Sequence, residues 1–97
     1  MSRGHELLVQ NQELFRHANE RLHERIVAIA QDGQRIPFLC ECADGGCTGR
    51  VNITLEEYGD VRDDRAHYLI VPGHLTIEGE DVVSKNDRYA VVEKPAA

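Results

Sequence analysis

Cys40, Cys42 and Cys47 fall within eight positions of one another, with Gly45 and Gly46 between the second and the third. Glycines let the backbone double back without Cβ clashes, so three sulfurs on this short segment can face one point. Structural zinc is held in this way, by four donors drawn from thiolate and imidazole in tetrahedral array. The Cys-x-Cys-x4-Cys spacing is tighter than paired Cys-x2-Cys knuckles, so two plainer readings stand beside it: buried, unreactive thiols or a redox switch. An odd number of clustered cysteines fits neither a disulfide framework nor secretion. In a reducing compartment it points to metal first.

Five histidines compete to be the fourth donor. His5, His17 and His23 fall in the polar or terminal part of a helix, where solvation is the ordinary explanation. His67 precedes a strand and has room to stack on the surface. His74 differs, because Val71-Pro-Gly-His74 sets it in a rigid turn directly after an apolar strand. A strand beside the cysteine hairpin would carry that turn to the metal. The expected site is therefore one structural Zn2+ on Cys40, Cys42, Cys47 and His74.

The surrounding pattern predicts an α+β domain spanning residues 1–97, with residues 1–10 left free to be flexible. Phe15, Ala18, Leu22, Ile26 and Ile29 recur at three- and four-residue spacing and predict one long N-terminal helix packed on a small antiparallel sheet. Asn11 is a candidate N-cap, although Leu7 to Val9 allow an earlier start. Asp32-Gly33 supplies a C-terminal cap. Ile36 to Cys42 reads as extended, with Phe38, Cys40 and Cys42 on one face. Arg50 to Thr54 alternates and returns antiparallel, which puts the cysteines at a hairpin tip. Thr54-Leu-Glu-Glu57 has the form of a capping box and opens a short helix with Leu55, Tyr58 and Val61 inward, ended by Asp63-Asp64. Tyr68 to Val71 is a strand, and Asp81–Ser84 with Arg88–Val92 forms a hairpin around Lys85-Asn86-Asp87.

These residues also resemble a known group. Phe38-Leu-Cys-Glu-Cys-Ala-Asp-Gly-Gly-Cys47, Ile53-Thr-Leu-Glu-Glu-Tyr58 with Val61-Arg62, Val71-Pro-Gly-His74 and Tyr89-Ala-Val-Val-Glu-Lys94 are similar to small bacterial proteins, mainly actinobacterial, of unassigned function. Their pattern is a Phe-x-Cys-Glu-Cys-Ala core, a preceding helix with Asn-x-x-Leu-Phe-Arg-x-x-Asn-Glu-Arg and a following Pro-Gly-His. The helix signature stands here as Asn11-Gln-Glu-Leu-Phe-Arg16 and Asn19-Glu-Arg21. The resemblance spans most of the chain and implies the same three cysteines with His74 as ligands. It implies no activity.

Chemistry and charge then narrow the function. Three thiolates and an imidazole fill a tetrahedral shell and leave a poor Lewis acid, so no enzyme is expected. His23-Glu24-Arg25-Ile26-Val27 has valine where H-E-x-x-H needs its second histidine. No P-C-x-x-C accompanies an H-x-E, and neither G-x-S-x-G nor a phosphate-cradling glycine loop is present. Glu41 is read as a solvated loop carboxylate. The formal charge is −6, from 17 acidic and 11 basic residues. A zinc on three thiolates would add −1. The basic residues are dispersed, which excludes the clustered cations that nucleic-acid binding requires. No apolar stretch approaches a membrane span, and the N-terminus leads into charged sequence, so a cytoplasmic location is expected. What remains is a non-enzymatic protein-interaction or regulatory module with a protein partner, ahead of a thiol-based redox or zinc sensor and of a nucleic-acid-binding zinc finger. Leu8, Phe15, Leu22 and Ile29 also fall at seven-residue spacing, which keeps a homodimer open beside a monomer.

Overall fold

A computed structural model describes residues 3–74 and 76–94. The order is α1 (Arg3–Ile26), β1 (Arg35–Leu39), β2 (Arg50–Thr54), α2 (Leu55–Arg62), β3 (His67–Ile70), β4 (Asp81–Lys85) and β5 (Ala90–Glu93). This is the α+β arrangement the sequence predicts, with the strands divided between two antiparallel sheets. β1 pairs with β2, and β5 lies between β3 and β4.

The β1–β2 hairpin follows from alternation. Ile36 and Phe38 on β1 and Val51 and Ile53 on β2 are buried and pair across the strands, Ile36 with Ile53 and Phe38 with Val51. They form one core with Tyr58 and Val61 of α2, Leu69 of β3 and Val91 of β5. The other face of the three-stranded sheet carries Tyr68, Ile70, Ala90 and Val92, which pack with Cys40 and Cys42. Burial on both faces explains why Tyr68, Leu69 and Ile70 are all enclosed, without the alternation of a half-exposed strand.

The capping box of α2 is formed in both directions. The Glu57 amide donates to Thr54 Oγ1 at 3.1 Å, and the Thr54 amide donates to Glu57 Oε1 at 3.0 Å. Tyr58 and Val61 turn inward, and Asp63 closes the helix.

The first helix departs from expectation in three respects. It begins at Arg3, so Asn11 is an interior residue rather than its cap. It ends at Ile26, well before Gly33, whose positive φ of 77° serves a separate turn closed by the Gln34 amide on the Gln31 carbonyl. Its buried face is also rotated from the predicted one: Ala18 is exposed and Ile29 is 79% exposed, while Gln12 and Asn19 are fully enclosed beside the half-buried Leu22 and Ile26. The cause is what the helix packs on. Side-chain amides dock it on the chain segments it crosses. Asn11 Nδ2 donates to the Ala43 carbonyl at 2.9 Å. The Asn19 amide bonds both the N–H and the C=O of Leu39, at 2.8 and 2.9 Å, where a neighbouring strand would otherwise pair. Leu22 of the seven-residue series packs against the core, so that series is not one free seam. Among the described residues, no helix is long and apolar enough to cross a membrane.

Candidate metal centre

Cys40 and Cys42 leave the end of β1, and the hairpin loop returns Cys47 to them. The turn is built by Asp44, whose carbonyl accepts from the Cys47 amide at 3.1 Å and whose carboxylate accepts from the Gly46 amide at 2.9 Å. The pairing then resumes, with the Cys40 amide on the Gly49 carbonyl at 3.1 Å. His74 arrives from the far end of β3. The His74 amide closes a turn on the Val71 carbonyl at 3.1 Å, with Pro72 and Gly73 in its centre and Gly73 at φ 83°. Proline pre-sets the second position of such a turn, and the third demands the left-handed region that glycine enters freely.

The ligand atoms of Cys40, Cys42, Cys47 and His74 lie within 4.8 Å of one another. His74 Nδ1 is 3.5 Å from Cys40 Sγ and 3.4 Å from Cys47 Sγ. A tetrahedral ion with Zn–S near 2.3 Å and Zn–N near 2.05 Å would separate sulfur from nitrogen by about 3.6 Å. The donor set and its spacing therefore fit the ion the sequence implies. Two backbone amides orient the sulfurs: Val71 N–H on Cys40 Sγ at 3.2 Å and Gly49 N–H on Cys47 Sγ at 3.4 Å. Gly49 is pressed into the centre, because a Cβ there would stand 3.3 Å from the His74 ring and 3.1 Å from Val71.

Burial pushes the Cys40 thiol up to about 12, with the neighbouring Cys42 adding to the rise, and burial likewise raises Cys42. Desolvation disfavours thiolates, so three of them at one point need a cation to compensate. Of the other histidines, His17 faces Glu20 at 3.3 Å on an exposed helix surface. The His23 ring lies 5.6 Å from the Tyr58 ring. His67 pairs with Glu93. The His5 side chain lies outside the described set.

Glu41 corrects the sequence reading outright. It is 0% exposed rather than solvated. Its Oε2 accepts from Asn19 Nδ2 at 2.7 Å and from the Tyr58 hydroxyl at 2.9 Å. Its Oε1 accepts from Arg62 Nη2 at 2.9 Å and from the Leu69 amide at 3.0 Å. Burial raises its pKa, while the Arg62 charge and the donated hydrogen bonds oppose that rise. Three of the four partners are nitrogen groups that can only donate, and the Arg62 charge adds to them, so these contacts favour the carboxylate against the desolvation that opposes it. Glu41 thus joins α1, α2 and β3 directly behind the metal loop. The signal that could have found it is local: in an extended segment, a residue between two inward cysteines points the opposite way. Here that way leads into protein, because the Glu41 amide pairs with the Leu69 carbonyl at 2.6 Å.

No protein-family model, curated protein or solved structure matches the chain.

Proposed function

We propose that Cys40, Cys42, Cys47 and His74 hold one zinc ion as a structural cross-link, and that the chain acts as a non-enzymatic protein-interaction or regulatory module. The observation that carries this reading is the convergence of two distant segments on one tetrahedral spacing, with His74 Nδ1 at 3.5 and 3.4 Å from two of the sulfurs. A closed shell of three thiolates and an imidazole gives a substrate no coordination position. Apolar side chains on the outer surface of α1, Leu7 at 56% and Leu14 at 66% exposed, give a protein partner something to meet. The −6 charge argues against nucleic acid as that partner.

Elemental analysis of protein purified without chelator tests the centre. One equivalent of zinc per chain is expected, together with a clear loss of zinc and a lower melting temperature in Cys42→Ser. Absence of stoichiometric metal, or a variant that melts like the wild type, would sink the reading. Cys47 is less enclosed than Cys40 and Cys42, which makes it the sulfur an oxidant reaches first. Reversible zinc release by mild peroxide would transfer the assignment to a thiol-based sensor.

A further inference from the structure

A second group of donors lies away from the cysteines. We propose that Asp64, His67 and Glu93 form an exchangeable site for a divalent first-row transition ion at the solvent-exposed end of the sheet face that carries Leu69 and Val91. Their ligand atoms also lie within 4.8 Å of one another. His67 Nε2 stands 3.0 Å from Glu93 Oε2 and 3.5 Å from Asp64 Oδ2. The scaffold is rigid. His67 on β3 is directly opposite Glu93 on β5, and directly opposite residues share a face of the sheet. Asp64 is held by its other oxygen, which accepts from the Ala66 amide at 2.9 Å.

His67 Nε2 is hydrogen-bonded to Glu93 Oε2, whereas Asp64 Oδ2 stands at 3.5 Å without a hydrogen bond to the ring, so a cation seated among the three donors would engage an oxygen that the imidazole leaves free. Donors bonded at about 2.1 Å to one ion stand roughly 3.0 to 3.4 Å apart in octahedral or tetrahedral array, close to what is found here. Two basic side chains from the same region are committed elsewhere. Arg88 is engaged with Glu57 at 2.8 Å, and Lys94 lies over the Tyr68 ring, which belongs to the opposite face. Asp81 of β4 is opposite Glu93 on its other side, which extends the row of oxygen donors. Imidazole with two carboxylates suits manganese or zinc, and the exposure of Asp64 and Glu93 leaves room for water ligands and exchange.

The site is independent of the cysteine centre, so the test uses full-length protein whose zinc content is measured separately. Titration with Mn2+ is followed by paramagnetic broadening of amide resonances. Saturable broadening centred on His67 and Glu93 is expected below about 1 mM, with no displacement by excess Mg2+. His67→Ala should weaken it at least about tenfold, since even the loss of an outer-shell partner costs that much. Asp87→Asn, at the far hairpin turn, should leave it unchanged. Non-saturable broadening, equal broadening over other acidic surface, displacement by Mg2+, or an unaltered His67→Ala response would each overturn the assignment. Unchanged dispersion of the remaining resonances in His67→Ala shows that the variant is folded.

Discussion

Glu41 shows how much one side chain can govern in a chain this short. Removing one partner from a buried, hydrogen-bonded ion pair leaves the other charge uncompensated, which costs about 3–5 kcal/mol. Glu41→Ala would strand the Arg62 guanidinium, whose side chain is only 14% exposed, together with the Leu69 amide. A destabilisation of that size, read by urea unfolding at saturating zinc, is the expected outcome. Glu41→Leu combined with Arg62→Met should recover much of it, because taking away both charges removes the desolvation cost along with the attraction. If the single variant were as stable as the wild type, Glu41 would be no more than an accommodated charge. The surroundings argue otherwise: Tyr58, one of its donors, is stacked on Phe38 with ring centroids 4.3 Å apart.

At the scale of elements, α2 is fastened at both levels, by its own cap and by a partner from another strand pair. Glu57 closes the capping box and also receives Arg88, from the β4–β5 turn, at 2.8 and 3.2 Å. The Arg88 hydrogen bonds chiefly, opposed by burial and helped by the Thr54 amide, bring the Glu57 pKa down to about 2 from 4.5. A carboxylate with a depressed folded-state pKa stabilises the fold fully above its unfolded value and loses that contribution as pH falls. The window here is pH 4.5 down to 2. Wild type and Glu57→Gln should differ most in urea midpoint near neutrality, with the gap narrowing below pH 4.5 and closing only as pH approaches 2. Loss of metal in acid affects both chains alike, so the difference between them isolates Glu57. A gap that stayed constant with pH would refute the coupling.

The elements also mark where sequence stops being legible. Alternation at Ile36/Phe38 and Val51/Ile53, the Thr54–Glu57 box and the Val71–His74 turn are short-range chemistry, and each stands in the structure where the sequence places it. The buried amide face of α1 was not readable, because Gln12 and Asn19 look like surface residues until Leu39 and Glu80 are brought against them. Strand order is non-local in the same way. β5 separates β3 from β4, and no spacing within any of those three segments announces it.

For the whole molecule, the proposed zinc is a cross-link between its two sheets, added to the core they share. Cys40, Cys42 and Cys47 belong to the β1–β2 hairpin, while His74 follows β3 of the other sheet. Metal binding that has no preformed counterpart in the unfolded chain appears as folding free energy, on the order of 10 kcal/mol for structural zinc. Chelation should therefore raise amide hydrogen exchange in both sheets together, Phe38 and Val92 included. Loosening confined to residues 40–49 would mean that the ion merely tidies a loop.

Residues 40 to 42 send their side chains alternately to the proposed metal centre, to the buried carboxylate knot and to the centre again. The proposed cation and the interior would then be gripped by neighbouring links of a single stretch of backbone. Such a chain has little scope to shed its metal quietly while the rest stays shut, so occupancy of the centre and integrity of the interior should rise and fall as one quantity.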